Sequence, residues 1–279
     1  MRESKLSGVY FHAAPTLIDQ QIEQAFKHGL GPGELPVNSN KENVKGMIVP
    51  QHAYDLAGPC AAWTYKILAE SKDPDIIIIV GQGDESGVTE EPWNTPYGIV
   101  RVDQVFVRAL VERKNIAIHN KIFDEDEQIE SQLPFLQYIY KKKGPKIVPI
   151  MLNNKTDLKE LAVDIKEILM EQNKRAVIVV PSNLTHFGRN YGYVPFSHDE
   201  HKQVYEMDKE AIELIQKKDV DGLLNYIDTH GMNTTNYLGI IFSIYVLKPE
   251  KILLEQYYTS ADMNKDYKNF VSFSAIVMK

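Results

Sequence analysis

Short runs of isoleucine and valine alternate along this chain with longer segments of helical period, and that alternation limits the fold more than any other feature. The runs lie at Gly46–Pro50, Asp75–Gly81, Lys146–Leu152, Ala176–Pro181, Ile252–Tyr258 and Val271–Val277, and are read as core strands. The intervening periodicity predicts helices over Thr16–Lys27, Gly58–Glu70, Asp103–Lys114, Asp126–Lys141, Thr156–Asn173, Asp199–Lys217, Asp219–Thr229 and Gly239–Val246. Such a pattern specifies an α/β fold with a central mixed or mostly parallel sheet flanked by helices. Strands apolar on both faces belong in the covered middle of the sheet. Ser197-His198-Asp199-Glu200 reads as a capping box at a helix start, with His198 and His201 exposed, and Pro249 stops the helix before it.

Length and charge narrow the function classes. At 279 residues, with no linker and no internal repeat, the chain is read as one domain over 1–279. A net charge of −7 opposes a polyanionic partner, so no nucleic acid is expected. The basic run KKKGPK at 141–146 reads as a solvated turn. The longest aliphatic run, Ile76–Val80, is too short to span a bilayer, and MRESKLSG lacks the apolar core of a signal peptide. The expectation is a cytoplasmic protein without membrane insertion. Cys60, the single cysteine, is expected to be a small packed side chain.

Ligands of open α/β sheets lie beyond the carboxyl ends of the strands. Three such ends here are polar: Gln51-His52-Ala53-Tyr54-Asp55, Gln82-Gly83-Asp84-Glu85 and Ser182-Asn183-Leu184-Thr185-His186. If these strands are parallel neighbours, His52, His186 and either Asp84 or Glu85 form a candidate two-histidine, one-carboxylate site of the kind that holds iron(II) or another divalent metal. Strand ends also carry polar residues simply for solvation, so a structural reading stands beside the metal one. A hydrolase built from Ser182, His186 and Asp84 lacks the GxSxG turn that exposes such a serine. The acidic DEDEQIE at 124–130 suits a helix start, where the dipole favours negative charge.

The same segments resemble, in order, the Memo (mediator of cell motility) family, whose fold is similar to that of class III extradiol dioxygenases. SGVYFHAAPTLIDQQI resembles the family's opening segment, and IVPQHAYDLAGPCAAWTYK its I-x-PHAGY block. IIIIVGQGDESG stands for I-x-(I/L)GPSH, DEDEQIESQLPFLQ for E-H-S-(L/I)-E-x-x-LPFLQ, and VIVVPSNLTHFG for V-x-SSDF-x-H. TTNYLGII replaces CG-x-x-PI, and the chain closes with TSADMNKDYKNFVSFSA against TS…VSYAA. The resemblance implies a metal between two histidines and a cysteine, and the departures fall on those positions. Gln51 and Asp84 take the places of the histidines, Thr234 or Thr235 that of the cysteine, Glu127 that of the acidic-block histidine, and Asn183 that of the SSDF aspartate. His186 stays in register.

Two functional readings follow. The first is a non-catalytic binding or scaffolding module with a degenerate metal site, whose cleft takes a peptide, a protein or a small aromatic ligand. Its cleft residues are Gln51, Tyr54, Asp84, Glu85, Asn183 and Thr235, with Phe187, Tyr191 and Tyr193 as further aromatic candidates. The alternative is an iron(II)-dependent dioxygenase-like or other redox enzyme, with His52 and His186 as catalytic residues and His52, Asp84 and His186 as metal ligands. The resemblance also implies a radical-SAM enzyme and its small partner protein as partners.

Overall fold

In the computed structural model, which describes residues 1–37, 39–141 and 143–279, the apolar runs gather into an eight-stranded sheet beside a two-stranded hairpin. The strands are β1 (Gly46–Val49), β2 (Ile76–Gln82), β3 (Gly87–Val88), β4 (Trp93–Thr95), β5 (Gly98–Val100), β6 (Lys146–Leu152), β7 (Ala176–Pro181), β8 (His186–Gly188), β9 (Ile252–Thr259) and β10 (Asn269–Met278). Neighbours in the main sheet run β3-β6-β2-β7-β1-β10-β8, and β9 pairs with β10. The β6-β2-β7-β1 centre is parallel, while β3, β8, β9 and β10 add antiparallel pairs. This is a mixed α/β sheet with a parallel core, in keeping with what the alternation specifies.

The central strands carry no polar alternation because both faces are covered: Ile76 to Val80 are all essentially inaccessible. The helices are α1 (Pro15–Lys27), α2 (Tyr54–Ala69), α3 (Gln104–Glu112), α4 (Leu133–Ile139), α5 (Leu158–Glu171), α6 (Glu200–Lys217), α7 (Val220–His230), α8 (Tyr237–Leu247) and α9 (Ser260–Asn264). No helix among the described residues is long and apolar enough to cross a membrane.

Several expectations are corrected, each for a local reason. β9 is an edge strand, not a central one: it pairs only with β10 and leaves Leu253 and Leu254 exposed. Helix α2 starts at Tyr54, four residues before the expected Gly58, because the Tyr54 N–H finds the Tyr10 carbonyl at 2.8 Å and Pro59 is accepted within the helix. The expected helix from Asp126 shortens to a 3-10 turn at Glu130–Gln132 followed by α4. There the Asp126 carboxylate accepts from the Gln128 and Ile129 N–H groups, and the fully buried Glu130 pairs with Arg2 and caps the Lys5 and Leu6 N–H groups. Acidic residues of this segment thus bind the N-terminal strap instead of flanking a helix dipole.

No capping box forms at Ser197–Glu200. Helix α6 begins after Asp199, which adopts a left-handed conformation at φ 47° and makes no side-chain cap bond. The box appears instead at Thr259 and Asp262, ahead of α9. His198 is exposed as expected, but His201 packs among Tyr205, Tyr267 and Phe270 with Nε2 2.8 Å from the Thr259 hydroxyl. Lys142 of the basic run lies outside the described residues.

Candidate functional site

β2, β7 and β1 are adjacent and parallel, so the three polar strand ends emerge side by side. Asn183 joins two of them. Its Oδ1 accepts from the Gln51 N–H at 3.0 Å and its Nδ2 donates to the Gln51 carbonyl at 2.8 Å, a reciprocal pair that clamps the end of β1 to that of β7. The Thr235 hydroxyl oxygen completes the set, accepting from the Asn183 N–H at 2.8 Å and from Gln51 Nε2 at 3.3 Å. Of the two threonines that align with the family cysteine, Thr235 therefore faces Gln51, while the Thr234 hydroxyl donates to the Asn183 carbonyl. Gln51 Oε1 is buried and makes no hydrogen bond. Ser182 is buried with its hydroxyl donated to the Thr235 carbonyl, which removes it as a nucleophile.

The two histidines flank this clamp. His186 approaches Asn183 through Nε2 at 3.5 Å, and its backbone is held on both sides by the Asn233 amide at 2.9 and 2.8 Å. Tyr191 meets its ring edge-on with centroids 5.4 Å apart. His52 turns Nδ1 back to accept from the Ala53 N–H at 2.8 Å, which leaves the proton of the neutral ring on Nε2. Its ring stacks on Tyr10, 5.8 Å between centroids and 14° between planes, and tilts against Phe273. Burial lowers the pKa of both imidazoles; the Glu127 charge partly opposes this at His52, while the His52 charge lowers His186 further. Both rings stand neutral near pH 7.

A cleft of about 460 Å³ opens beside Gln51, with an acidic wall of Asp84, Glu85, Glu125 and Glu127. Glu127 links cleft and histidines, since it accepts the Tyr10 hydroxyl at 2.7 Å. The amides of Gln82 and Gln128 tie the floor together: the Gln82 N–H donates to Gln128 Oε1 at 3.0 Å, and Gln128 Nε2 returns to the Gln82 carbonyl at 2.7 Å. Asp84 and Glu85 are exposed on the loop after β2, Glu85 leaning to His119 at 3.6 Å.

The expected metal triad is not assembled in this arrangement. Among the described residues no three His, Cys, Asp or Glu side chains gather closely enough to hold a metal ion. His52 spends one ring nitrogen on its own backbone, and both candidate carboxylates stand on the exposed loop. At the family's own ligand positions Gln51 Nε2 donates to the Thr235 hydroxyl, and neither an amide oxygen nor a hydroxyl replaces the imidazole or thiolate that holds copper or zinc. This donor set does not fit the metal that the resemblance implies.

Of the aromatic candidates, Tyr54 belongs to the core, its ring against Phe11 and Phe135 and its hydroxyl donated to the Ser131 carbonyl. Phe187 is likewise buried, stacked on Phe270, and the Tyr193 hydroxyl donates to the His230 carbonyl. Tyr191 remains beside the site. Tyr10, Phe273 and Asn233 join it without a signal in strand-end reasoning, because they arrive from the N-terminal strap, from β10 and from the loop before α8. Cys60 is fully buried, and burial raises its thiol pKa, in keeping with a packed side chain.

Comparison with known proteins agrees with this reading of the scaffold. Residues 2–277 match the family model described as Memo-like protein. A MEMO1 family protein of Desulfurococcus amylolyticus is 32% identical over 99% of this chain and 98% of its own length. Another from Methanopyrus kandleri is 28% identical over 100% and 99%. The crystal structure of an uncharacterized protein from Escherichia coli K12 superposes with a TM-score of 0.50 at 14% identity, covering 85% of this chain and 100% of that one, a likeness of fold alone. The ordered sequence blocks and these matches over nearly the whole length lead to one conclusion: the chain belongs to the Memo-like protein family.

Proposed function

We propose that this protein is a non-catalytic binding module, and that its cleft at the strand carboxyl ends receives a peptide or small molecule carrying positive charge next to a planar ring. The observation that carries this reading is the Gln51–Asn183–Thr235 clamp, in which an amide and a hydroxyl stand at two family ligand positions and hydrogen-bond to each other through Gln51 Nε2, with Asn183 holding both. The acidic wall supplies the charge preference, since a low-dielectric cleft lined by one sign attracts the other. The rings of Tyr10, His52 and Tyr191 supply faces for a planar group.

Matched blocked dipeptides test this. Arginyl-tyrosine amide should raise the melting temperature, glutamyl-tyrosine amide should not, and Glu127→Gln, which keeps an acceptor for Tyr10, should reduce the effect. Equal shifts with both dipeptides, or none with either, contradict the proposal. One observation favours a second reading, an enzyme with a divalent metal: burial keeps both His52 and His186 neutral, the form in which imidazole ligates. That reading predicts metal bound through both histidines.

A further inference from the structure

A second cavity lies at the opposite pole of the sheet, where β2 and β6 begin. Its volume is about 390 Å³, within the range of small-molecule sites. One wall is aliphatic, made by Ile77, Ile147, Ile99 and Leu136 from two central strands, the β4–β5 hairpin and α4. Around it stand Arg101, Lys143 and Lys146, with no acidic residue in the lining. These three cations enter none of the ion pairs found among the described residues, in which the nearby Asp103 is taken by Lys174 at 2.6 Å.

One of the lining residues carries a buried polar group without a partner. Tyr140, the residue that caps α4, lines the cavity, and its hydroxyl is buried without a hydrogen-bond partner. The charges of Asp73 and, more weakly, Arg175 both reach that hydroxyl, and Arg175 has Nε and Nη2 buried without acceptors as well. Burial, with the Asp73 charge, raises the Tyr140 pKa, so the phenol keeps its proton and stands as a donor. Gly144 closes over the ring; a Cβ there would lie 3.1 Å from Tyr140 Cβ and 3.2 Å from the ring edge. Buried donors without acceptors are costly, and native proteins leave few of them.

We infer that this cavity is a binding site for a small organic anion with an apolar body, such as an alkyl carboxylate, whose head group accepts from Tyr140 and is paired by Arg101, Lys143 and Lys146 while its chain lies on the aliphatic wall. The two poles are separate: the seven residues of β2 span roughly 20 Å, at about 3.3 Å per residue. The inference therefore does not rest on the function proposed for the strand carboxyl ends.

Calorimetric titration with octanoate, octylamine and inorganic phosphate tests it. Octanoate should bind with one-to-one stoichiometry, octylamine and phosphate should not, and added salt should weaken the octanoate complex. Tyr140→Phe should cost about tenfold in affinity, the worth of one hydrogen bond to a charged acceptor. Arg101→Ala/Lys146→Ala, at two exposed positions, should weaken binding and flatten its salt dependence, whereas Glu127→Gln at the other pole should leave it unchanged. Absence of octanoate binding, equal binding of octylamine, phosphate binding as tight as octanoate, or an unaltered affinity in Tyr140→Phe overturns the inference.

Discussion

The two ends of the parallel strands treat their polar groups in opposite ways. Where the strands finish, Asn183, Gln51 and Thr235 satisfy one another and, apart from Gln51 Oε1, leave little unpaired. Where the strands begin, Tyr140 and Arg175 keep buried donors without partners near Arg101, Lys143 and Lys146. A buried polar group that is paired stabilises and fixes the backbone around it, while one left without a partner costs free energy. Paired polar groups thus gather at the carboxyl pole, and the unpaired Tyr140 and Arg175 donors at the amino pole.

Substitutions can break this contrast. Asn183→Ala has the largest expected effect, because it leaves the Gln51 N–H and carbonyl without partners in a buried place. Urea denaturation should show a loss of about 2–4 kcal/mol. Tyr140→Phe should do the reverse in the unliganded protein: removing a hydroxyl that bonds to nothing should leave stability equal or raise it by up to about 1 kcal/mol. A loss comparable to that of Asn183→Ala would mean that the hydroxyl is satisfied, and the contrast would fail.

A smaller, pH-dependent effect sharpens the picture of the carboxyl pole. Burial pushes Asp208 up to about 6 from an ordinary 3.8, opposed by hydrogen bonds that include those from the Thr185 and Tyr257 hydroxyls. Between these values the folded protein holds a proton that the unfolded chain has released, so this group's contribution to stability is lost as pH rises through that window. Asp208→Asn should flatten the pH dependence of the urea midpoint between about pH 4 and 6, with the buried Asp126, also raised to about 6, supplying the remaining slope of the same sign.

The scaffold was legible because its signals are local. Six apolar runs became six strands, with bounds within two residues, since covered parallel strands need unbroken aliphatic sequence. β9 was misplaced to the interior because Ile252-Leu253-Leu254 looks the same whether a neighbour covers it or not. The helix expected from Asp126 failed on long-range contacts: Arg2 and the strap lie more than 120 positions away in sequence, and no periodicity records them. Site legibility divided similarly. Strand-end reasoning brought together Gln51, His52, Asn183 and His186, but the orientation of His52 depends on its own backbone, and Tyr10 enters from a segment with no motif of its own. The basic run read as a solvated turn contributes Lys143 and Lys146 to a cavity wall, a role set by the packing of α4 and the hairpin.

The central claim, that the strand carboxyl ends bind without a metal, is tested most directly by elemental analysis of protein purified without chelators, before and after anaerobic loading with iron(II). His52→Ala and His186→Ala should be run alongside. The account predicts far less than stoichiometric metal in the native protein and no difference in either variant. Stoichiometric metal in the native protein that is lost from both variants would contradict it and establish the histidines as ligands.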